Sequence, residues 1–292
     1  LNTGNTYNMQ SVWRERAEET LHSILPGDYE FAFFSGGAEA VEAAVRVALA
    51  CGYRIGRIRT WEGCFHGKTY LMENILPRTM LPWSGAPRLV AGDVALFEPV
   101  QTRNGVRQFL WWDQVKRADF LIDDEISTTV RSGFWTCYGI LSRDGISPNI
   151  VLLGKNLGQG VPVTIMAVKS MDTLVPVSLS SGYGGNPLAC AAVTDTVRYI
   201  MDEGILEKIR TLGPPMASWL STAIERPVDG LGFWFGFSVR DAEDGAFGVA
   251  HRMLEQGYII GTAGEHNIRL SPDFDTTLAE WEEFCDVLTK NV

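Results

Sequence analysis

Nothing in this sequence supplies a disulfide frame, a metal centre or a membrane span. Its five cysteines, Cys51, Cys64, Cys137, Cys190 and Cys285, are odd in number and far apart, with no CxxC pair. Reduced thiols are therefore expected rather than cross-links or zinc ligands. The four histidines, His22, His66, His251 and His266, contain no HxxxH pair, and no metal is expected. The apolar runs fall far short of the ~20 residues needed to cross a bilayer. No charged start leads into an apolar stretch and a cleavage site, so the cytoplasm is the default expectation. Basic residues are also scarce: 25 Lys and Arg against 35 Asp and Glu give a net charge of −10. Such a field repels phosphate backbones and anionic lipids, which disfavours nucleic acid and membranes as partners. The best case for a polyanion patch is Arg54, Arg57 and Arg59, the last two on one side of a strand if that strand spans them. An acid-paired or solvated strand edge accounts for them more simply. There is no P-loop ending in GKS or GKT and no GxGxxG fingerprint, which argues against a dinucleotide-dependent dehydrogenase.

What is present is an ordinary globular composition, 46% hydrophobic and 21% charged over 292 residues, enough for two modest domains of ~150 residues each. Short apolar runs alternate with helical patterns, the signature of a layered α/β fold. Strands are expected at 31–35, 53–59, 94–100, 119–124, 149–155 and 162–168. Several are apolar throughout, as parallel strands covered on both faces must be. Helices are expected at 10–24, at 38–51 ending on Gly52, and at 187–211. From Gly213 the pattern changes to GFWFGFSVR, a helix near 244–256, a short IRLSP strand and a last helix over 277–290. The domain reading is an N-terminal helical segment over 1–29, a large α/β domain over 30–212 and a small α+β domain over 213–292.

Four features fall at strand ends or turns, where ligands bind in open α/β sheets. SGGAEA at 35–40 runs from a strand through Gly36 and Gly37 into a helix, aiming backbone N–H groups and the positive helix end at one spot. DFLIDDEIS at 119–127 ends an apolar strand in Asp123 and Asp124. A carboxylate there needs magnesium, an arginine or a protonated ring nitrogen, because an isolated buried charge is costly. LLGKNLGQG at 152–160 places Lys155 at the close of another apolar strand, where partly dry surroundings make a lysine a usable amine nucleophile. SSGYGGNPLACAA at 180–192 is a glycine-rich turn entering a helix. A phosphate cradle, a buried acid and a buried lysine at the ends of different strands are together what a pyridoxal phosphate site requires.

In this order the strings resemble the class III pyridoxal phosphate aminotransferases, the ornithine, 4-aminobutyrate and glutamate-semialdehyde type, over most of the chain. The resemblance implies a fold type I α/β transferase, a shortened member, with a mostly parallel central sheet and a small C-terminal α+β domain. FFSGGAEAVEAA is similar to the family's phosphate-binding segment, which puts Gly37 and Ala38 on the cofactor phosphate. GCFHGKT at 63–69 resembles its aromatic-His-Gly stretch, making Phe65 the ring stacked on the pyridine and bringing His66 beside it. LIDDEIS resembles the strand whose aspartate holds the pyridine nitrogen, and register selects Asp124. Ser127 falls where the family has a glutamine near the ring oxygen. Ser181 and Gly182 fall where a phosphate contact comes from the neighbouring subunit, so a homodimer with shared sites is implied. FEPVQ at 97–101 and NIRLSP at 267–272 resemble the segments that handle the substrate carboxylate, giving Glu98 and Arg269, and the two are expected to pair when no carboxylate is bound.

The implied chemistry is transfer of an amino group between an amino acid or amine and an oxo acid, with Lys155 as the Schiff-base residue and proton carrier and Asp124 keeping the ring nitrogen protonated. Decarboxylation, racemisation or amino migration on the same fold, on a bulky or carrier-attached amine, is the alternative. A non-catalytic scaffold of the same fold is the second.

Overall fold

The computed structural model describes residues 10–25, 27–84, 88–103, 105–137, 146–169 and 179–292. In chain order the elements are α1 (Val12–Ile24), β1 (Tyr29–Phe34), α2 (Gly37–Ala50), β2 (Ile58–Trp61), α3 (Tyr70–Asn74), β3 (Met80–Leu81), β4 (Val94–Phe97), β5 (Val100–Gln101), β6 (Arg107–Gln108), α4 (Trp112–Val115), β7 (Phe120–Asp124), β8 (Ile150–Leu153), β9 (Thr164–Lys169), α5 (Pro187–Asp202), α6 (Ile205–Ala223), β10 (Asp229–Leu231), β11 (Trp234–Ser238), α7 (Gly245–Glu255), β12 (Gly261–Thr262), β13 (Asn267–Leu270) and α8 (Leu278–Thr289). They fall into two compact units. The first is Leu1–Pro99, Leu110–Val130 and Phe134–Glu203; the second is Val100–Phe109, Arg131–Gly133 and Gly204–Val292.

The first unit is built on a seven-stranded sheet in the order β1-β9-β8-β7-β4-β2-β3. β2 pairs in parallel with β3 and β4, β4 with β7, and β7 with β8, whereas β9 runs against both β8 and β1. Thus β1, β2, β4, β7 and β8 all point the same way, and their C-terminal ends share one edge of the sheet. Strands β4, β7 and β8 are buried at every residue, as a parallel sheet covered on both faces demands. On one face α2 lays Ala40, Val41, Ala44, Val47 and Ala48 against Phe34, Leu96, Ile122, Leu152 and Met166. These alanines let the helix backbone ride close to the strands. Ile122 faces this helix, so the period-2 alternation of β7 puts Asp124 on the same face and Asp123 on the other.

Two expectations are corrected. The strand at 53–59 begins only at Ile58, because Ile55–Arg57 forms a 3-10 turn. The alternation argument therefore does not apply to Arg57, and Arg57 and Arg59 both bind Asp93, at 3.1 and 3.2 Å. They are an acid-paired edge, not a polyanion patch. The helix at 187–211 is two helices, broken at Gly204, whose φ of +61° is left-handed. The second of them continues through Pro214 and Pro215 to Ala223. Burial of Ile209, Met216 and Leu220 holds it together across residues that propensity alone would make its end.

The second unit carries a four-stranded antiparallel sheet, β10-β11-β13-β12. Register pairs Phe235 with Leu270 and Phe237 with Ile268 on one face, and Gly236 with Arg269 on the other. The apolar face meets α8, where Trp281 packs 5.1 Å from Phe235 and donates its ring N–H to the Met216 carbonyl at 3.0 Å. α8 itself starts on a capping box between Thr277 and Glu280.

Candidate active site

The shared sheet edge of the first unit explains why residues remote in sequence meet. SGG follows β1, CFHG follows β2, Glu98 follows β4, Asp124 ends β7 and Lys155 follows β8. A cavity of about 600 Å³ opens at this edge, and its walls include Gly37, Ala38, Phe65, His66, Asp124, Ser127 and Lys155. Seven of the residues singled out from the sequence are thereby brought to one place. Ser181 is buried and Gly182 exposed, and neither lines the described part of that cavity. Their turn rests on the end of β1, where Gly184 comes so close that a Cβ would stand 1.9 Å from the Phe33 carbonyl oxygen.

At the cavity's head, α2 begins on Gly36 with no side-chain cap, so the first-turn N–H groups are presented to whatever fills it. The Phe65–Lys68 loop is drawn onto this turn. Gly67 has a φ of +109°, and a Cβ there would lie 2.4 Å from Ala38 Cβ. Gly67→Ala is accordingly expected to cost about 1–3 kcal/mol through backbone strain and displacement of the α2 start. Denaturant titration of the purified variant checks this.

Asp124 is 3% exposed. Its Oδ2 is 2.8 Å from His66 Nδ1, and its Oδ1 accepts the Ile126 N–H at 3.2 Å. His66 Nε2 in turn is 2.8 Å from Thr60 Oγ1. Burial pulls the His66 pKa down, but hydrogen bonds with Asp124 and Cys64, with the charge of both, outweigh it and carry it up to about 10. His66 is therefore an imidazolium at neutral pH. Glu98 is 2% exposed, and its Oε2 accepts the Phe65 N–H at 2.7 Å. Burial, with Cys64 and Asp124 nearby, pushes its pKa well up against the opposing pull of His66 and the Phe65 N–H. In the second unit, Arg269 donates to the Thr102 carbonyl at 3.1 Å.

Lys155 departs from the expectation of dry surroundings. Its side chain is exposed, reaching into the open cavity, and its Nζ donates to Ser127 Oγ at 2.6 Å. The strand is buried, but the chain leaves it at Gly154 and turns at Lys155 with a left-handed φ of +41°, an uncommon conformation for a residue with a side chain. Ile126 and Lys68 are among the cavity residues to which the sequence reading gave no role. Ile126 fills the floor between Gly37 and Gly154, its methyl groups 3.1 and 3.2 Å from where their Cβ atoms would be, and Lys68 adds a second ammonium to the wall. Ile126 sits inside the DDEIS string and Lys68 inside GCFHGKT, so the positions of both were available.

Asp123 is the anomaly of this region. It is fully buried, and among the described residues neither of its oxygens has a hydrogen-bond partner. Burial first, then the charges of Glu125 and Asp124, push its pKa well above the usual carboxylate range. Its pKa is higher in the folded than in the unfolded chain, where it ionises above about pH 4, so it subtracts stability increasingly as pH rises from there towards the folded pKa. Asp123→Val is expected to stabilise the fold by about 1–3 kcal/mol at neutral pH and by less near pH 4. Thermal unfolding at both pH values measures it.

The residues fit pyridoxal phosphate on this structure's own terms. There are uncapped helix N–H groups for a phosphate, a buried carboxylate for a ring nitrogen, and a reachable amine for an aldehyde. Comparison with known proteins agrees. Residues 96–292 match the family model for Aminotransferase class-III. The acetylornithine aminotransferase of Archaeoglobus fulgidus is 28% identical over 297 residues, covering 91% of this chain and 76% of that one. That of Agrobacterium fabrum is 29% identical over 317 residues, covering 92% and 76%. Among solved structures, Plasmodium falciparum ornithine delta-aminotransferase superposes with a TM-score of 0.80 at 22% identity, covering 97% of this chain and 78% of that one. Acetylornithine aminotransferase from Elizabethkingia anophelis gives 0.79 at 24%, covering 97% and 80%. These two show the likeness of fold.

Proposed function

The chain belongs to the class III aminotransferase family, a pyridoxal phosphate-dependent enzyme family, and from that premise we propose how its own residues carry out amino transfer. The observation that carries the reading is the meeting of Lys155, Asp124 and the α2 N-terminus around one cavity. When bound, pyridoxal phosphate supplies a ring that accepts electrons as a bond to the substrate's amine-bearing carbon breaks. Asp124 holds a proton on the ring nitrogen, and His66 keeps that carboxylate in place. The N–H groups of Gly37 and Ala38 hold the phosphate, assisted by the positive end of α2. Phe65 and Ile126 line the cavity and would hold the cofactor ring between them. Ser127 would approach the ring oxygen, and it accepts a hydrogen bond from Lys155 Nζ. Lys155 would hold the cofactor's aldehyde through Nζ, and as a free amine the same Nζ would move a proton from the substrate carbon. Glu98 and Arg269 handle the substrate carboxylate, and Lys68 offers a further cationic contact to it.

The substrates of this reading are an amino-acid or amine donor, of which N-acetylornithine is the first to try, and an oxo-acid acceptor. A homodimer brings Ser181 and Gly182 to the partner's phosphate. Five cysteines outside any disulfide agree with a reducing compartment such as the cytoplasm. A half-reaction tests the reading: protein loaded with cofactor and given one amine at a time, without acceptor, should yield pyridoxamine phosphate and the matching oxo product. Carbon dioxide or an inverted amino acid in their place would move the chemistry to the decarboxylase or racemase alternative. Sedimentation analysis tests the dimer.

A further inference from the structure

We propose that Thr60 is a positioning residue of this site: its hydroxyl oxygen accepts the Nε2–H of a doubly protonated His66 and thereby fixes the imidazole on Asp124. The structure allows two arrangements of the Thr60–His66 contact, because a neutral ring could instead accept the hydroxyl proton at Nε2. The surroundings decide between them. The groups that face His66 are Thr60 from β2, Cys64 from the loop after it, Glu98 from the end of β4 and Asp124 from β7. Two are acids, one is a thiol and one a hydroxyl, and among the described residues no lysine or arginine bonds the ring. A proton on each ring nitrogen meets an oxygen at 2.8 Å on both sides. The upward shift of His66 against its own burial agrees with this. Thr60 is 2% exposed, so its hydroxyl is withdrawn from bulk solvent.

The consequence falls on Asp124. With Oδ2 held by His66 and Oδ1 by the Ile126 N–H, the carboxylate has one orientation, and what pins His66 pins it. Thr60 acts on the cofactor through two intermediaries, which makes it a positioning rather than a catalytic residue. The inference rests on the assignment of Asp124 to the ring nitrogen for its catalytic meaning, but not for the protonation of His66.

The test is nitrogen NMR of protein carrying ¹⁵N-labelled histidine, first without cofactor. His66→Gln identifies the signal, and the exposed His22, His251 and His266 serve as internal references. At about pH 8 both His66 ring nitrogens should carry protons. Thr60→Val should lower the His66 midpoint by about one pH unit or more, and Thr60→Ser should restore it. In cofactor-loaded protein, the pH midpoint of the visible band should move with Thr60→Val and return with Thr60→Ser. A neutral His66 in the unsubstituted protein at pH 8 overturns the proposal, and that measurement stands even where Thr60→Val does not fold. An unmoved midpoint in a folded Thr60→Val overturns it as well. Absence of any cofactor band leaves the NMR result standing and defeats the reading of Asp124 instead.

Discussion

Lys155→Ala is expected to abolish amino transfer, lowering turnover by about 10³–10⁴-fold or more, because one substitution removes both the attachment point and the proton carrier. Stability should hardly change. The side chain is exposed in the cavity, its strand is fixed by burial of Ile150–Leu153, and alanine removes no apolar contact from the core. The left-handed backbone at Lys155 persists in the variant, so any structural cost stays within the roughly 1 kcal/mol common to surface substitutions. The separation of the two effects is the point of the experiment. Single-turnover assays with added amine report the chemical loss, and a denaturation curve reports the intact fold. A variant that still transfers amino groups at a tenth of the original rate would remove Lys155 from the mechanism.

Asp124→Ala carries the second large effect, and here activity and stability fall together. Turnover should drop by roughly 10²–10³-fold as the ring nitrogen loses its partner. The fold should lose about 3–5 kcal/mol at neutral pH, the range for removing one member of a buried ion pair; Asp124 and His66 side chains are both 4% exposed. The pH dependence identifies the cause. His66 has a pKa of about 10 in the folded protein against ~6.5 unfolded. Its contribution is therefore complete below about pH 6.5 and is lost as pH rises towards 10. Stability of the unsubstituted protein should decline through that window, and in Asp124→Ala this component of the decline should vanish. Asp123 adds a separate decline that begins near pH 4, so the two are distinguished by where each sets in.

The sheet was legible in the sequence because its strands are pure apolar runs closed by polar or glycine punctuation. FLIDD and the IVLL stretch before Gly154 give β7 and β8 to within a residue or two. The alanine-rich face of α2 announces a helix lying flat on that sheet. Arg54–Arg59 misled because a β-rich string carries no mark of the 3-10 turn that occupies its first half. Gly204 and the Pro214–Pro215 pair misled in the opposite sense. One glycine in a helical pattern was enough to end a helix, and two prolines were not enough to end the next, because packing at Ile209, Met216 and Leu220 outweighs propensity there.

The cavity residues could be named from their strings, but their partners could not. His66 and Asp124 are 58 positions apart and bond only because β2 and β7 flank β4 and end at the same edge. Nothing in GCFHGKT says that its histidine is an imidazolium, and nothing in LIDDEIS says that one aspartate is pinned on both oxygens while its neighbour has no hydrogen-bond partner among the described residues. Both facts come from the sheet's alternation, which turns Asp124 towards α2 and Asp123 away from it. Lys155 was read as lying in dry surroundings from the apolar run before it; the chain's exit at Gly154 is what puts it in the open cavity.

That Lys155 holds pyridoxal phosphate in this cavity is tested by the visible spectrum of purified protein beside Lys155→Ala, before and after borohydride, followed by peptide mass analysis. The account predicts a borohydride-sensitive visible band in the unsubstituted protein, a cofactor-sized mass increase fixed on the peptide containing Lys155, and neither in the variant. A band that survives Lys155→Ala unchanged, or a reduced cofactor found on Lys68 instead, would contradict it.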